Sequence, residues 1–144
     1  MDIMRKSAED LSNEEVSMIE DLLEELELEE RHGYSKDGMP SYKSWNRPYS
    51  QNDVILAIVD SVVVGLIDFS VIDSTATMHV LVVSEGFRNQ GIATKLYKEL
   101  KKYLKHDTWA NELHLSVRAN NGAIEFYKKM GFISYHVEMY SNIL

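Results

Sequence analysis

Residues 78–83, Met-His-Val-Leu-Val-Val, make an almost wholly apolar run that ends in a polar turn, Ser84-Glu85-Gly86-Phe87-Arg88-Asn89-Gln90-Gly91. Directly after the turn, Ile92, Ala93, Leu96, Tyr97, Leu100 and Leu104 recur at three- and four-residue spacing, which predicts a helix over 91–105. A strand this apolar must be buried, and the helix after it must lie back on the sheet with its apolar stripe. The turn therefore sits at a helix N-terminus. Free N–H groups and the helix dipole attract an anion there, and Gly91 with the small Ala93 lets one approach the main chain closely. Arg88 adds a fixed charge. A plain strand-to-helix turn uses the same residues, so this segment alone leaves both readings open.

A second segment narrows the choice. Asn120-Asn121-Gly122-Ala123-Ile124-Glu125-Phe126-Tyr127-Lys128-Lys129-Met130-Gly131-Phe132 follows a strand-like run at 113–117. The two segments lie in order, about thirty residues apart. Together they resemble the GNAT superfamily of acyl-CoA N-acyltransferases. The first matches its Gln/Arg-x-x-Gly-x-Gly/Ala signature, and the second an Asn-x-x-Ala-x-x-x-Tyr-x-x-x-Gly-Phe pattern. The likeness covers roughly residues 53–140.

Length and composition are compatible with such a domain. A chain of 144 residues is about one domain long, and buries roughly two-thirds of the surface it exposes when unfolded. With no cysteine, disulfides, thiolate metal sites and a cysteine acyl-enzyme are excluded. Residues 1–6 lack the apolar core of a signal peptide, and no run has the length of a membrane span. These features predict a soluble, cytoplasmic protein. The net charge of −8 argues against nucleic acid as a partner, but it conceals a split. Residues 9–30 hold eleven acids and no base, whereas 88–129 hold nine basic residues against four acidic ones. The basic half carries the anion-binding turn.

Along the chain, 3–6 reads as a short strand and 11–30 as one or two acidic helices, with Ser12 and Glu15 spaced as a capping box. Residues 31–52 hold both prolines and no steady period, and read as a loop. Strands follow at 54–59 and 62–72, joined by an Asp60-Ser61 hairpin turn, and then at 75–83 after Asp73-Ser74. The helix at 91–105, a strand at 113–117, a helix at 122–130 and a last strand at 132–140 complete the chain. The expected architecture is a single α/β (α+β) domain over 1–144, with a mixed sheet of six or seven strands flanked by helices. A terminal strand at 137–140 is also able to pair across a homodimer.

The resemblance implies acetyl-CoA as cosubstrate, with direct transfer of its acetyl group to a primary amine in a ternary complex. It assigns the pyrophosphate to the backbone of Arg88, Asn89, Gln90, Gly91, Ile92, Ala93 and Thr94, and the pantetheine arm to the backbone of Leu81, Val82 and Val83. Asn120 would hydrogen-bond that arm, although Asn is equally at home as a helix N-cap. Tyr127, in the family's tyrosine position, would protonate the leaving thiolate; its alternative is a ring on the core face of a helix. The base is less distinct. The family often places a carboxylate on the central strand, and here that strand offers His79, with Glu85 just past its end. An imidazole is a reasonable base near neutral pH, although a histidine in an apolar strand is often structural. Asp68, Asp73 and Glu138 are lesser candidates.

The remaining signals are plainer. Lys95, Lys98, Lys101, Lys102 and Lys105 form the polar face of one helix, from which one or two would reach the 3′-phosphate of CoA. His32, His79, His106, His114 and His136 are too scattered for a His-x-x-x-His site, so no metal is expected. The eleven acids either select a cationic amine or merely solvate a helix face. A non-catalytic acyl-CoA sensor or interaction module is the alternative to an enzyme, because the carboxylate base is missing.

Overall fold

A computed structural model describes residues 1–32, 52–117, 122–137, 139 and 141–143, with the backbone alone for 27–32. Five strands form one sheet in chain order: β1 (Asp2–Ser7), β2 (Asn52–Val59), β3 (Val62–Ile72), β4 (Thr75–Val83) and β5 (Glu112–His114). β1 to β4 are an antiparallel meander, and β5 runs parallel to β4. The helices are α1 (Asn13–His32), α2 (Ile92–Asp107) and α3 (Ile124–Lys129). This is the mixed, helix-flanked α/β sheet that the sequence predicts.

Local chemistry sets the turns. Asp60 and Ser61 carry φ of 48° and 66°, as a two-residue turn that matches strand twist requires. Ser12 and Glu15 form the expected capping box: the Glu15 N–H donates to Ser12 Oγ at 3.1 Å, and the Ser12 N–H to Glu15 Oε1 at 2.9 Å.

Alternation along the strands builds two cores. One face buries Ile55, Ala57, Ile67, Phe69 and Met78 under Leu96, Leu100 and Leu104 of α2. The other buries Val54, Leu56, Leu66, Val80 and Val82 under Ile19, Leu22 and Leu23 of α1. β3 lies between both and is buried from Val63 to Ser70. A Cβ at Gly65 would come within 3.0 Å of Leu96 Cδ1 and 3.2 Å of Ile92 Cγ2, so this glycine lets α2 settle on the sheet.

Three differences from the sequence expectation stand out. The sheet has five strands against six or seven, because residues 132–137 and 139 adopt no strand. Their alternating apolar side chains Ile133, Tyr135, Val137 and Met139 are 66–86% exposed, and β-branched or aromatic residues form a strand only with a partner to pack on. The homodimer strand at 137–140 therefore has no strand among its described residues. β5 ends at His114 rather than at residue 117. α1 runs through Arg31 and His32, so the loop expected from residue 31 begins later; 33–51 lie outside the described residues.

The Glu15 carboxyl offers a measure of this packing. Burial pushes it up, but the Lys6 ammonium at 2.8 Å and the Ser12 donors outweigh burial and hold it below its ordinary value. A carboxyl lowered by folding contributes stability above its unfolded value of 4.5, and loses it as pH falls through the lower folded value. Glu15→Gln, which keeps the cap but not the charge, should melt below wild type at pH 7. Melting curves across acid pH should bring the two together below pH 4.5.

Candidate active site

β5 meets β4 only at Thr75, Ala76 and Thr77, opposite Glu112, Leu113 and His114. Beyond Thr77, β4 has no partner strand on that side among the described residues. The cause lies in β4 itself. Asp68 pairs with Val80 and Phe69 with Met78, so His79 is an extra residue, a bulge. A bulge bends its strand and increases the local twist, and β5 parts from β4 there. The result is an opening whose wall is the unpaired edge of Met78 to Val83, a surface on which an extended ligand can form main-chain hydrogen bonds.

The opening ends at the glycine turn before α2. The Ser84 N–H donates to Val64 O at 2.8 Å, a 3-10 turn follows at Glu85–Phe87, and the chain reverses through Asn89 (φ 61°) and Gly91 (φ 78°) into α2. The Lys95 N–H bonds to Gly91 O at 3.1 Å, and Gly91 brings no capping side chain. The N–H groups of Ile92, Ala93 and Thr94 precede the first intrahelical bond and face outward from the helix end. A cavity of ≈ 250 Å³ runs from Val83 past this first turn to Phe126. A Cβ at Gly91 would meet nothing within 4 Å, so the space beside it is open.

Each residue named from the sequence can now be placed. Leu81 and Val83 are half-buried against the α2-side core, while Val82 is buried on the α1 side. The Ile92 side chain is core, Ala93 and Thr94 are half-buried, and Asn89 and Gln90 are exposed. Arg88 lines the cavity, but its guanidinium is also engaged inside the protein. Nε donates to Val83 O at 2.9 Å, and Nη2 lies 3.6 Å from Glu25 of α1. Glu25 also accepts the Glu85 N–H and, at 3.4 Å, the Ser84 hydroxyl. One carboxylate thus ties the acidic helix to the turn before α2. Nothing in the sequence separates Glu25 from the ten other acids around it. Asn120 and Glu138 lie outside the described residues.

Tyr127 sits on α3, half-buried against the α2-side core to which Leu81 and Val83 also belong. The end of its helix explains its position. The Gly131 N–H donates to Lys128 O, and the Phe132 N–H to Tyr127 O, both at 3.0 Å, with Gly131 at φ 99°. This is a Schellman stop, and its usual apolar contact is made by Phe132, whose ring lies 5.8 Å from that of Tyr127 and 5.7 Å from that of Tyr97. Tyr97 is buried, and burial raises its phenol above the ordinary value of 10.0. The Gly-Phe pair of the second motif is thus a helix stop that fixes the tyrosine. α3 itself begins at Ile124, two residues later than the sequence spacing suggests.

Of the base candidates, Asp68 and His79 fall on the α1 side. Among the described residues the buried polar ones are Asp68, 2% exposed, and Ser70, 9% exposed, both on β3. Asp68 accepts from Asn52 Nδ2 at 2.9 Å. The bulge turns His79 toward Ser70, with Nε2 2.8 Å from Oγ. Asp73 and Glu85 are exposed in turns, at φ 54° and at the start of the 3-10 helix respectively. Ser70 carries no sequence signal, since it is one polar residue in an otherwise apolar strand. Among the described residues, no three His, Cys, Asp or Glu side chains form a group able to hold a metal, and no helix is long and apolar enough to cross a membrane. Gly131→Ala forces a Cβ into the left-handed region. It should lower stability by about 1 kcal/mol in urea titrations and increase exchange broadening of the Tyr127 ring in NMR spectra.

Comparison with known proteins agrees with this geometry. The sequence profile of the acetyltransferase (GNAT) family matches residues 19–132. An N-alpha-acetyltransferase of Saccharolobus solfataricus is 39% identical over 90 residues, an alignment covering 54% of each protein, so the chain spans about half the length of that relative. Among solved structures, PaiA N-acetyltransferase from Thermoplasma acidophilum, in complex with coenzyme A, superimposes with a TM-score of 0.79 at 21% identity, over 96% of this chain and 94% of that one. An aminoglycoside acetyltransferase from an uncultured soil metagenomic sample, in complex with trehalose, gives 0.71 at 18% identity over 99% and 96%. The family profile spans the split between β4 and β5, the glycine turn into α2 and the tyrosine of α3, and the chain belongs to the acetyltransferase (GNAT) family.

Proposed function

We propose that this protein transfers the acetyl group of acetyl-CoA to a primary amine, by direct attack in a ternary complex. One observation carries the reading: the unpaired edge of β4 leads to the open N-terminus of α2, with Tyr127 on one side of the sheet and His79 on the other. The donor set suits the cosubstrate. The free N–H groups of Ile92, Ala93 and Thr94 and the cavity beside Gly91 fit a pyrophosphate, and the edge of Leu81 to Val83 fits the amide-bearing arm. When bound, acetyl-CoA supplies an acetyl group already activated as a thioester.

The chain's own groups have three tasks. A main-chain N–H on the free edge of β4 donates to the thioester oxygen, a contribution of ~3–4 kcal/mol for one well-placed donor. Tyr127 gives its phenolic proton to the departing sulfur. His79 takes a proton from the acceptor, because an alkylamine is neutral in roughly one molecule in 2,500 at pH 7, a deficit of about 4–5 kcal/mol. Asn120 belongs with the arm-binding groups. The relative's name, N-alpha-acetyltransferase, favours a peptide N-terminus as acceptor, and the aminoglycoside enzymes favour a small cationic amine. Both are primary amines. Of the acids on α1, Glu15 and Glu25 are occupied by Lys6 and Arg88, while Glu14, Glu20, Asp21 and Glu24 are exposed. A cytoplasmic location goes with this reading, since acetyl-CoA is the proposed cosubstrate.

Two variants test the assignment. Isothermal titration with acetyl-CoA should give a saturable heat for wild type and none for Gly91→Glu, which fills and charges the cavity. Tyr127→Phe should bind acetyl-CoA as wild type does but lose kcat by ~100-fold. Equal loss of binding in Tyr127→Phe would assign the ring to packing instead.

A further inference from the structure

Resting on the reading above, we infer that Glu25 of α1 is a positioning residue for acetyl-CoA: from the face of the sheet opposite α2, it fixes the turn whose amides receive the pyrophosphate. Both of its oxygens are used. Oε1 accepts the Glu85 N–H and lies 3.6 Å from Arg88 Nη2, while Oε2 accepts the Ser84 hydroxyl at 3.4 Å. The element that carries it is itself anchored. Ile19, Leu22 and Leu23 are buried in the α1-side core and Leu26 packs against it, so the carboxylate is presented from a fixed helix.

These contacts close a ring. Glu25 takes the Glu85 N–H, Glu85 O takes the Arg88 N–H at 3.4 Å, and the Arg88 guanidinium returns to Glu25. Arg88 Nε also donates to Val83 O at 2.9 Å, so position 85 is tied to α1 and position 88 to both α1 and β4. From Arg88 the chain passes through Asn89 and Gly91, both at positive φ, to the N–H groups of Ile92, Ala93 and Thr94. Phe87 packs against the α2-side core, and Glu25 supplies the hold from the other face. Between these two anchors, Glu85, Gly86, Asn89, Gln90 and Gly91 are exposed. An exposed turn with two glycines loses backbone freedom when it closes on a phosphate, and a carboxylate that has already removed part of that freedom lowers the cost of binding. A negative charge near a phosphate site would by itself oppose binding. Here it is met by a guanidinium and two further donors.

The test reads the turn in the free protein and then the cosubstrate. ¹⁵N relaxation of the full chain should give backbone order parameters of about 0.85 across the turn in wild type and below about 0.6 in Glu25→Ala, with the middle of α2 unchanged. Isothermal titration with acetyl-CoA should then give a Kd raised roughly 10-fold in Glu25→Ala, and within about 2-fold of wild type in Glu25→Gln, whose amide oxygen still accepts the Glu85 N–H. Glu24→Ala, at the exposed acid next to it, should match wild type in both measurements. An unchanged Kd or unchanged order parameters in Glu25→Ala overturn the inference even where the melting temperature falls, because Glu25 is then a stabilising contact only. A Kd that falls overturns it too, since Glu25 would then compete with the phosphates for Arg88. Wild type that binds no acetyl-CoA overturns the cosubstrate reading, and the order parameters of the free protein then decide alone whether Glu25 fixes the turn. Where Glu25→Ala does not fold, Glu25→Asp, one methylene too short for the turn, replaces it.

Discussion

The fold turns on the point where β4 loses its neighbour. A strand edge with free N–H and C=O groups is ordinarily a liability, and proteins cover it or pair it. Here the bulge at His79 bends β4 away from β5 just after Thr77, and among the described residues the edge beyond stays open. It survives because β4 is held from its other side. β3 pairs with it along nearly its full length, and apolar side chains anchor it from both faces, Met78 under α2 and Val80 and Val82 under α1. The same bulge that makes the opening also directs an imidazole toward Ser70. One inserted residue thus yields both an extended-ligand surface and a candidate base beside it.

The elements around the opening are fixed by similarly local devices. A left-handed glycine and a helix with no capping side chain give the turn before α2 its free N–H groups. A left-handed glycine at the other helix stops α3 so that Phe132 packs on Tyr127. Glu25 joins α1 to the turn through Ser84, Glu85 and Arg88. Arg88 holds Val83 O and Glu25 at once, and so joins the end of β4 to α1. Charge on the acidic helix and charge on the turn before α2 meet at this contact.

Much of this was legible in the sequence wherever structure is decided locally. The capping box at Ser12 and Glu15, the turn at Asp60 and Ser61, and the passage from an apolar strand through Gly91 into α2 follow from residues within a few positions of each other. The base candidate His79 was visible as an odd residue in an apolar strand. Its partner Ser70 was not, because that contact depends on a one-residue bulge, and bulges leave no clear mark in a hydrophobic pattern. Glu25 was hidden for the opposite reason, as one acid among eleven alike. The last strand misled because alternating Ile133, Tyr135, Val137 and Met139 satisfy the period of a strand, whereas a strand also needs a partner, and the described residues provide none.

The central claim is that the unpaired edge of β4 receives the acyl-CoA arm while the first turn of α2 receives its phosphates. Amide hydrogen exchange, followed residue by residue with and without acetyl-CoA, addresses it directly. The account predicts slowed exchange at amides of the β4 edge among residues 79–83 and at Ile92, Ala93 and Thr94, with β1 and β2 unchanged. Saturating acetyl-CoA that leaves those amides as they were, or protects a different face of the sheet, would contradict it.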